Sequence, residues 1–142
     1  MTLYTVTNAS REEAVFVDQQ IVAYNQSQVP FSQDKPFIGV YRVVKDDQGK
    51  VLGGLNALIY CWKCLSIDVL WVDQASRGLD IGTSLLKAVE DYARDQGCRI
   101  SHLDTFDFQA KDFYIKQGYQ VVGQIDNCPE GHTRYYMSKV LD

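Results

Sequence analysis

Val72-Asp73-Gln74-Ala75-Ser76-Arg77-Gly78-Leu79-Asp80-Ile81-Gly82-Thr83-Ser84 is the stretch on which the fold turns. It closes a β-prone run and opens Ile81, Leu85, Leu86, Val89, Tyr92 and Ala93, an apolar stripe at helical spacing that Gly97 ends. A strand, a tight loop with two glycines and an amphipathic helix therefore follow one another. A helix N-terminus presents unpaired N–H groups and about half a positive charge. Gly78 and Gly82 let an anion approach the main chain, and Arg77 adds a fixed cation. Phosphate or pyrophosphate binding is the chemistry this arrangement points to. The alternative is a plain connection whose glycines only make the turn. The spacing excludes both G-x-x-x-x-G-K-[ST] and G-x-G-x-x-G, and with them a P-loop and a Rossmann site.

Working upstream, Leu65 to Val72 reads as a strand with Leu65, Ile67 and Val69 on one face and Ser66 and Asp68 on the other. The alternation fails after Val69, as a β-bulge or a strand end buried on both faces would make it. Phe37–Val44 and Val51–Tyr60 read as a hairpin turning at Asp46 to Gly49. Before them, Asn25 to Pro36 reads as a loop, and a helix begins near Ser10 with Glu12 and Glu13 in its first turn. Leu3 to Val6 is a short β-prone run. Downstream, Arg99–Phe106 is a strand, Phe108–Lys116 a short helix ended by Gly118, and Tyr119–Ile125 and Arg134–Leu141 two final strands. The order β-α-β-β-β-α-β-α-β-β implies a mixed α/β (α+β) sheet with helices on its faces.

The chain has 142 residues, which suits a single domain over 1–142. Its 46% apolar and 23% charged composition excludes a disordered chain. With 14 Lys and Arg against 18 Asp and Glu, the net charge of −4 argues against a nucleic-acid partner. No apolar run approaches a membrane span, and MTLYTVTNAS lacks the basic and apolar regions of a secretory signal. A cytoplasmic location and reduced cysteines are the expectation.

Two motifs together resemble a known family. Arg77-Gly78-Leu79-Asp80-Ile81-Gly82 is similar to the [QR]-x-x-G-x-[GA] acetyl-CoA loop of the GNAT superfamily of N-acyltransferases. About 30 residues on, Asp107-Phe108-Gln109-Ala110-Lys111-Asp112-Phe113-Tyr114-Ile115-Lys116-Gln117-Gly118-Tyr119 resembles that family's N-x-x-A-x-x-[LF]-Y-x-x-x-G-[FY] element. The element order matches as well, so the likeness covers nearly the whole chain. It implies a GNAT-like acyl-CoA N-acyltransferase fold in which the strand Ile67–Val72 splays from Ser101–Phe106. Acetyl-CoA would be the cosubstrate, with its pantetheine arm in that gap, and an amine of a small molecule or peptide the acceptor. The resemblance gives main-chain contacts to Trp71 and Val72, and pyrophosphate contacts to the amides of Arg77, Gly78, Leu79, Asp80, Ile81, Gly82 and Thr83. It makes Tyr114 the acid that protonates the leaving thiolate. No metal is implied. A homodimer is compatible with the family, though no residue dictates one.

Two positions depart from the family pattern. Its middle glycine is Asp80 here, a residue suited to capping the helix. Its Asn is Asp107, which lacks an amide donor that Gln109 could supply instead. A non-catalytic acyl-CoA-binding module is the alternative these departures favour.

Amine acetylation also needs the amine free of its proton, so a base helps. Asp68, on the polar face of the third sheet strand, is the candidate, against a plain solvated strand carboxylate. His102 and Asp104 lie on the strand facing the same cleft, and His132 lies in the last loop. Cys61-Trp62-Lys63-Cys64 is followed by a strand rather than a helix, which disfavours a redox motif. Zinc would need Cys98/His102 or Cys128/His132 as further ligands. The acceptor pocket is expected from the first helix, the 25–36 loop and the 126–133 loop, with Tyr24, Phe31, Asp34, Asp126 and Glu130.

Overall fold

A computed structural model describes residues 2–142. Six strands form one sheet in the order β1-β2-β3-β4-β6-β5. They are β1 (Phe37–Lys45), β2 (Val51–Tyr60), β3 (Cys64–Val72), β4 (Ile100–Phe106), β5 (Gln120–Asp126) and β6 (Thr133–Val140). Helices α1 (Arg11–Gln28), α2 (Ile81–Asp95) and α3 (Lys111–Lys116) complete the fold. All neighbours run antiparallel except β3 and β4, which the α2 crossover makes parallel.

The apolar stripe of α2 buries Ile81, Leu85, Leu86, Val89 and Ala93 against one face of the sheet, where Val40, Leu55, Ala57 and Ile59 meet it. Leu65, Leu103, Met137 and Leu141 extend the same core across the sheet. One buried carboxylate crosses this core. Glu90 of α2 accepts from Tyr119 Oη at 2.8 Å and from Lys139 Nζ at 2.8 Å, so its burial leaves no lone charge.

Three expectations change. The run Leu3–Val6 forms no strand; Leu3, Tyr4 and Val6 are almost fully exposed, because a four-residue strand needs an edge to pair with and none adjoins it. α1 runs to Gln28, four residues into the stretch read as loop. It starts as expected, with Ser10 and Glu13 in a reciprocal capping box. The bulge lies at Asp68, one residue before the alternation fails. Asn56 pairs with Val69 and Ala57 with Ile67, so Asp68 is the extra residue. Both Asp68 and Val69 are consequently exposed, and Val69 leaves the Leu65–Ile67 face for the other one.

Candidate active site

The parallel pairing of β3 with β4 ends at Ile67 with Leu103. β4 stays paired with β6 as far as Phe106, so it is β3 and β4 that part. The main-chain groups of Asp68–Val72 on that side therefore have no β4 partner. The resulting V-shaped gap is the splay the sequence implies.

At the wide end of the gap lies a cleft of about 570 Å³, lined by Leu70, Trp71 and Val72 of β3 and by Arg77, Gly78, Asp80, Ile81, Gly82 and Thr83. Phe108, Gln109, Ala110 and Phe113 form its far wall. The amides of Ile81, Gly82 and Thr83 head α2, where no preceding turn can pair them. Gly82 faces the ring of Phe113; a Cβ there would stand 3.4 Å from its Cζ. Gly78 holds φ +89°, a conformation that favours glycine. Arg77's own amide donates to Gln74 O at 3.3 Å, so its guanidinium is its chief offering.

Asp80 is the N-cap by position, yet its side chain caps nothing. Its backbone is left-handed, with φ 59° and ψ 24°. A side chain capping from Ncap needs extended backbone, so the capping role expected of it is not realised. The helix amides are thereby left free. Leu79 points into solvent.

At the narrow end, a smaller cavity of about 160 Å³ brings together Asp68, Asp104, Gln109 and Tyr114. Tyr114 is 5% exposed and packs edge-on against Phe113 and Tyr119. Burial first, and then the charge of Asp104, push its hydroxyl up to about 12. Asp104 is bound by the Arg134 guanidinium, with Nη2 at 2.7 Å and Nε at 2.8 Å. Asp68 accepts from Ser66 Oγ at 3.1 Å, and among the described residues no cation pairs with it.

Gln109 lines both cavities. Its Oε1 accepts from Phe106 N at 2.9 Å, which leaves its amide nitrogen to donate toward the cleft. Asp107 does not join them. Its carboxylate accepts from Thr133 N and His132 Nδ1, both at 2.9 Å, and it lines neither the cleft nor the narrow cavity. Those two donors hold its carboxyl below the usual range, the Thr133 amide most. Asp107 is thus a clamp on the start of β6. His102 is turned away as well, its Nε2 2.6 Å from Tyr60 Oη.

The expected acceptor wall is incomplete. No residue of α1 is buried, and Tyr24 is more exposed than covered. Phe31 packs edge-on against Trp62 at the β2–β3 turn. Reading the sequence misses Gln109's double position, for which its place two residues after Asp107 is the only signal. The four cysteines are free thiols, and among the described residues no three His, Cys, Asp or Glu side chains converge as a metal site. No described helix is long and apolar enough to cross a membrane.

Comparison with known proteins bears on this geometry. The model of the acetyltransferase (GNAT) family matches residues 3–119. Blasticidin-S acetyltransferase of Streptomyces morookaense is 38% identical over 96 residues, covering 67% of this chain and 70% of its own. A crystal structure of an acetyltransferase from Bacillus cereus superposes with a TM-score of 0.91 at 36% identity, covering 97% of this chain and 98% of the other. A streptothricin acetyltransferase of Bacillus anthracis, solved with acetyl coenzyme A, shares the fold with a TM-score of 0.66 at 18% identity, covering 77% of this chain and 65% of the other. The parted strands, the open helix N-terminus and the matched sequence agree: the chain belongs to the GNAT family of acetyltransferases.

Proposed function

We propose that this acetyltransferase moves the acetyl group of acetyl-CoA directly to a primary amine of a small molecule or peptide. The observation that carries the reading is the gap between β3 and β4, which has anion-binding amides at its wide end and a protonated phenol at its narrow end. Bound there, acetyl-CoA supplies an activated acyl group and a thiol leaving group. The amides of Ile81–Thr83, with Arg77 beside them, suit its diphosphate. Trp71 and Val72 pair with β2 on one side, and the β3 main-chain groups that alternate toward the β4 side, Val72's among them, suit the pantetheine amides and the acyl carbonyl. Gln109 offers the amide that Asp107 cannot.

Tyr114 then faces the sulfur. A hydroxyl at about 12 keeps its proton at pH 7. Complete ionisation toward a thiolate of ordinary pKa near 8.5 would cost roughly 5 kcal/mol. Tyr114 therefore acts chiefly as a hydrogen-bond donor that steadies charge growing on the sulfur, and the departing thiolate takes its proton from water. Asp68 takes the amine's proton and, being exposed, passes it to water, while both Asp104 and its partner Arg134 are engaged in an ion pair.

The test is a panel of amines mixed with acetyl-CoA and the protein, read by chromatography of released CoA and mass of the product. Blasticidin S belongs in the panel because a relative is named for acetylating it. Acetylated amine at rates above the uncatalysed mixture is the expected result. CoA binding without release for any amine would instead identify a non-catalytic acyl-CoA-binding module.

A further inference from the structure

α1 carries Val17, Ile21 and Tyr24 at i, i+4 and i+7, each more than half exposed. An isolated helix of 18 residues is marginal in water, and no residue of α1 is buried here. A second bare surface lies on the sheet. The face opposite α2 presents two cross-strand rows, Val43–Gly54–Trp71 and Tyr41–Asn56–Val69. Tyr41, Val43, Val69 and Trp71 are each between 49% and 67% exposed.

The areas agree with this picture. A compact monomer of 16.1 kDa exposes about 7,400 Å² by the scaling of surface with mass. This chain exposes 9922 Å². The excess of about 2,500 Å² is well above the roughly 800 Å² each partner needs for a stable interface.

The chain's own helix is held off its own sheet. Val29 caps α1 directly and accepts from Trp62 Nε1 at 2.7 Å. Ser32 N donates to Cys61 O at 3.0 Å, Gln33 Nε2 to Ile59 O at 3.0 Å, and Cys61 N to Pro36 O at 2.8 Å. The segment after α1 is thus bonded to the β2–β3 turn with no free hinge between them, and folding back would break these bonds.

We infer that two copies of this chain exchange arms, α1 of each lying across the bare sheet face of the other. A two-fold axis satisfies both arms and both faces at once. The partner's helix then borders the side of the gap that carries Asp68 and supplies the acceptor wall that a single chain lacks. The inference stands apart from the acyl chemistry.

Sedimentation velocity on the full chain should give twice the mass of 16.1 kDa at micromolar concentration. Val17→Glu with Ile21→Glu damages the arm alone, and Tyr41→Glu with Val43→Glu the face alone. Each pair should weaken association at least about tenfold. Mixing the two variants should restore dimers beyond either alone, because one intact arm meets one intact face. A wild-type monomer, or a mixture that gains nothing, would overturn the exchange. Should the variants fail to fold, a photo-crosslinker at Ile21 in a mixture of ¹⁴N- and ¹⁵N-labelled chains replaces them. Mixed-isotope crosslinks to β1 or β3 are expected; crosslinks within one isotope only would show intramolecular closure and overturn the inference.

Discussion

Tyr114 packs the core and, in the proposed reaction, serves the leaving sulfur, and one substitution separates the two roles. Its ring packs against Phe113 and Tyr119, with centroids 5.3 and 5.7 Å away, and a phenyl group keeps those contacts. Its hydroxyl faces the narrow cavity. Tyr114→Phe should therefore leave CoA affinity within about twofold and lower kcat about 100-fold, the usual worth of one donor aimed at charge that develops in the transition state. Equilibrium CoA binding beside steady-state rates checks the split; an unchanged kcat removes the hydroxyl from the mechanism. The same hydroxyl leaves a mark on stability. Its value rises from 10 in the open chain to about 12 in the fold, so the folded state holds the proton longer. That contribution is complete below pH 10 and is lost as pH climbs toward 12, at a cost of roughly 3 kcal/mol. Urea titrations across pH 9–12 should show a shallower alkaline loss in Tyr114→Phe than in wild type. Asp80 is the other instructive residue. Left-handed backbone costs a non-glycine residue about 1 kcal/mol, and glycine loses a similar amount through the freedom of the unfolded chain. Asp80→Gly should then leave stability nearly unchanged. Removing a carboxylate from beside the proposed diphosphate site should tighten CoA binding about threefold, the worth of one exposed charge pair at ~6 Å in water. Calorimetric titration with CoA measures it.

Among the elements, the turn into α2 shows why part of the site is legible in sequence. Gly78 announces a left-handed turn and Gly82 a helix start with no side chain between Val72 and Phe113, and the stripe from Ile81 to Ala93 fixes which face of α2 is inside. Local spacing suffices for both. The bulge at Asp68 is half legible, because the failed alternation marks an irregularity while its register depends on the partner strand β2. The role of Asp107 is not legible at all. Its acceptors are used by Thr133 and His132, more than twenty residues on, and no local pattern foretells that contact. The strand expected at Leu3–Val6 fails for the same reason: β propensity makes a strand only where an edge receives it. Gly82→Glu tests the element as a whole. The new side chain would enter the cleft between Val72 and Phe113, fill it and repel a diphosphate. CoA binding should be lost while the far-ultraviolet circular dichroism stays that of wild type. Retained binding would move the coenzyme elsewhere.

Across the whole molecule, the gap that makes the site also weakens the sheet. Only four residue pairs, Cys64–Ile67 with Ile100–Leu103, join β3 to β4. The halves β1-β2-β3 and β4-β6-β5 need a second tie. Glu90 provides it, reaching from α2, which packs on the first half, to Lys139 of β6 and to Tyr119 just before β5. Lys139 also donates to Gln117 O at 2.7 Å, so the end of α3 is drawn into the same clamp. Such a clamp is costly to break from one side. Lys139→Met keeps the apolar stem but leaves the Glu90 carboxylate buried at 4% exposure, with Arg94 4.0 Å away as its remaining cation. The loss should be about 3 kcal/mol, toward the low end for removing one partner of a buried pair, because Tyr119 still donates and Arg94 lies near. Adding Glu90→Gln should recover a good part of it, since the neutral amide still accepts from Tyr119. Urea unfolding of the wild type, the single variants and the double variant closes the cycle. Equal destabilisation by Lys139→Met in the presence and absence of Glu90→Gln would mean that Lys139 acts through its packing alone, and that the four-pair seam with the α2 core holds the gap's hinge unaided.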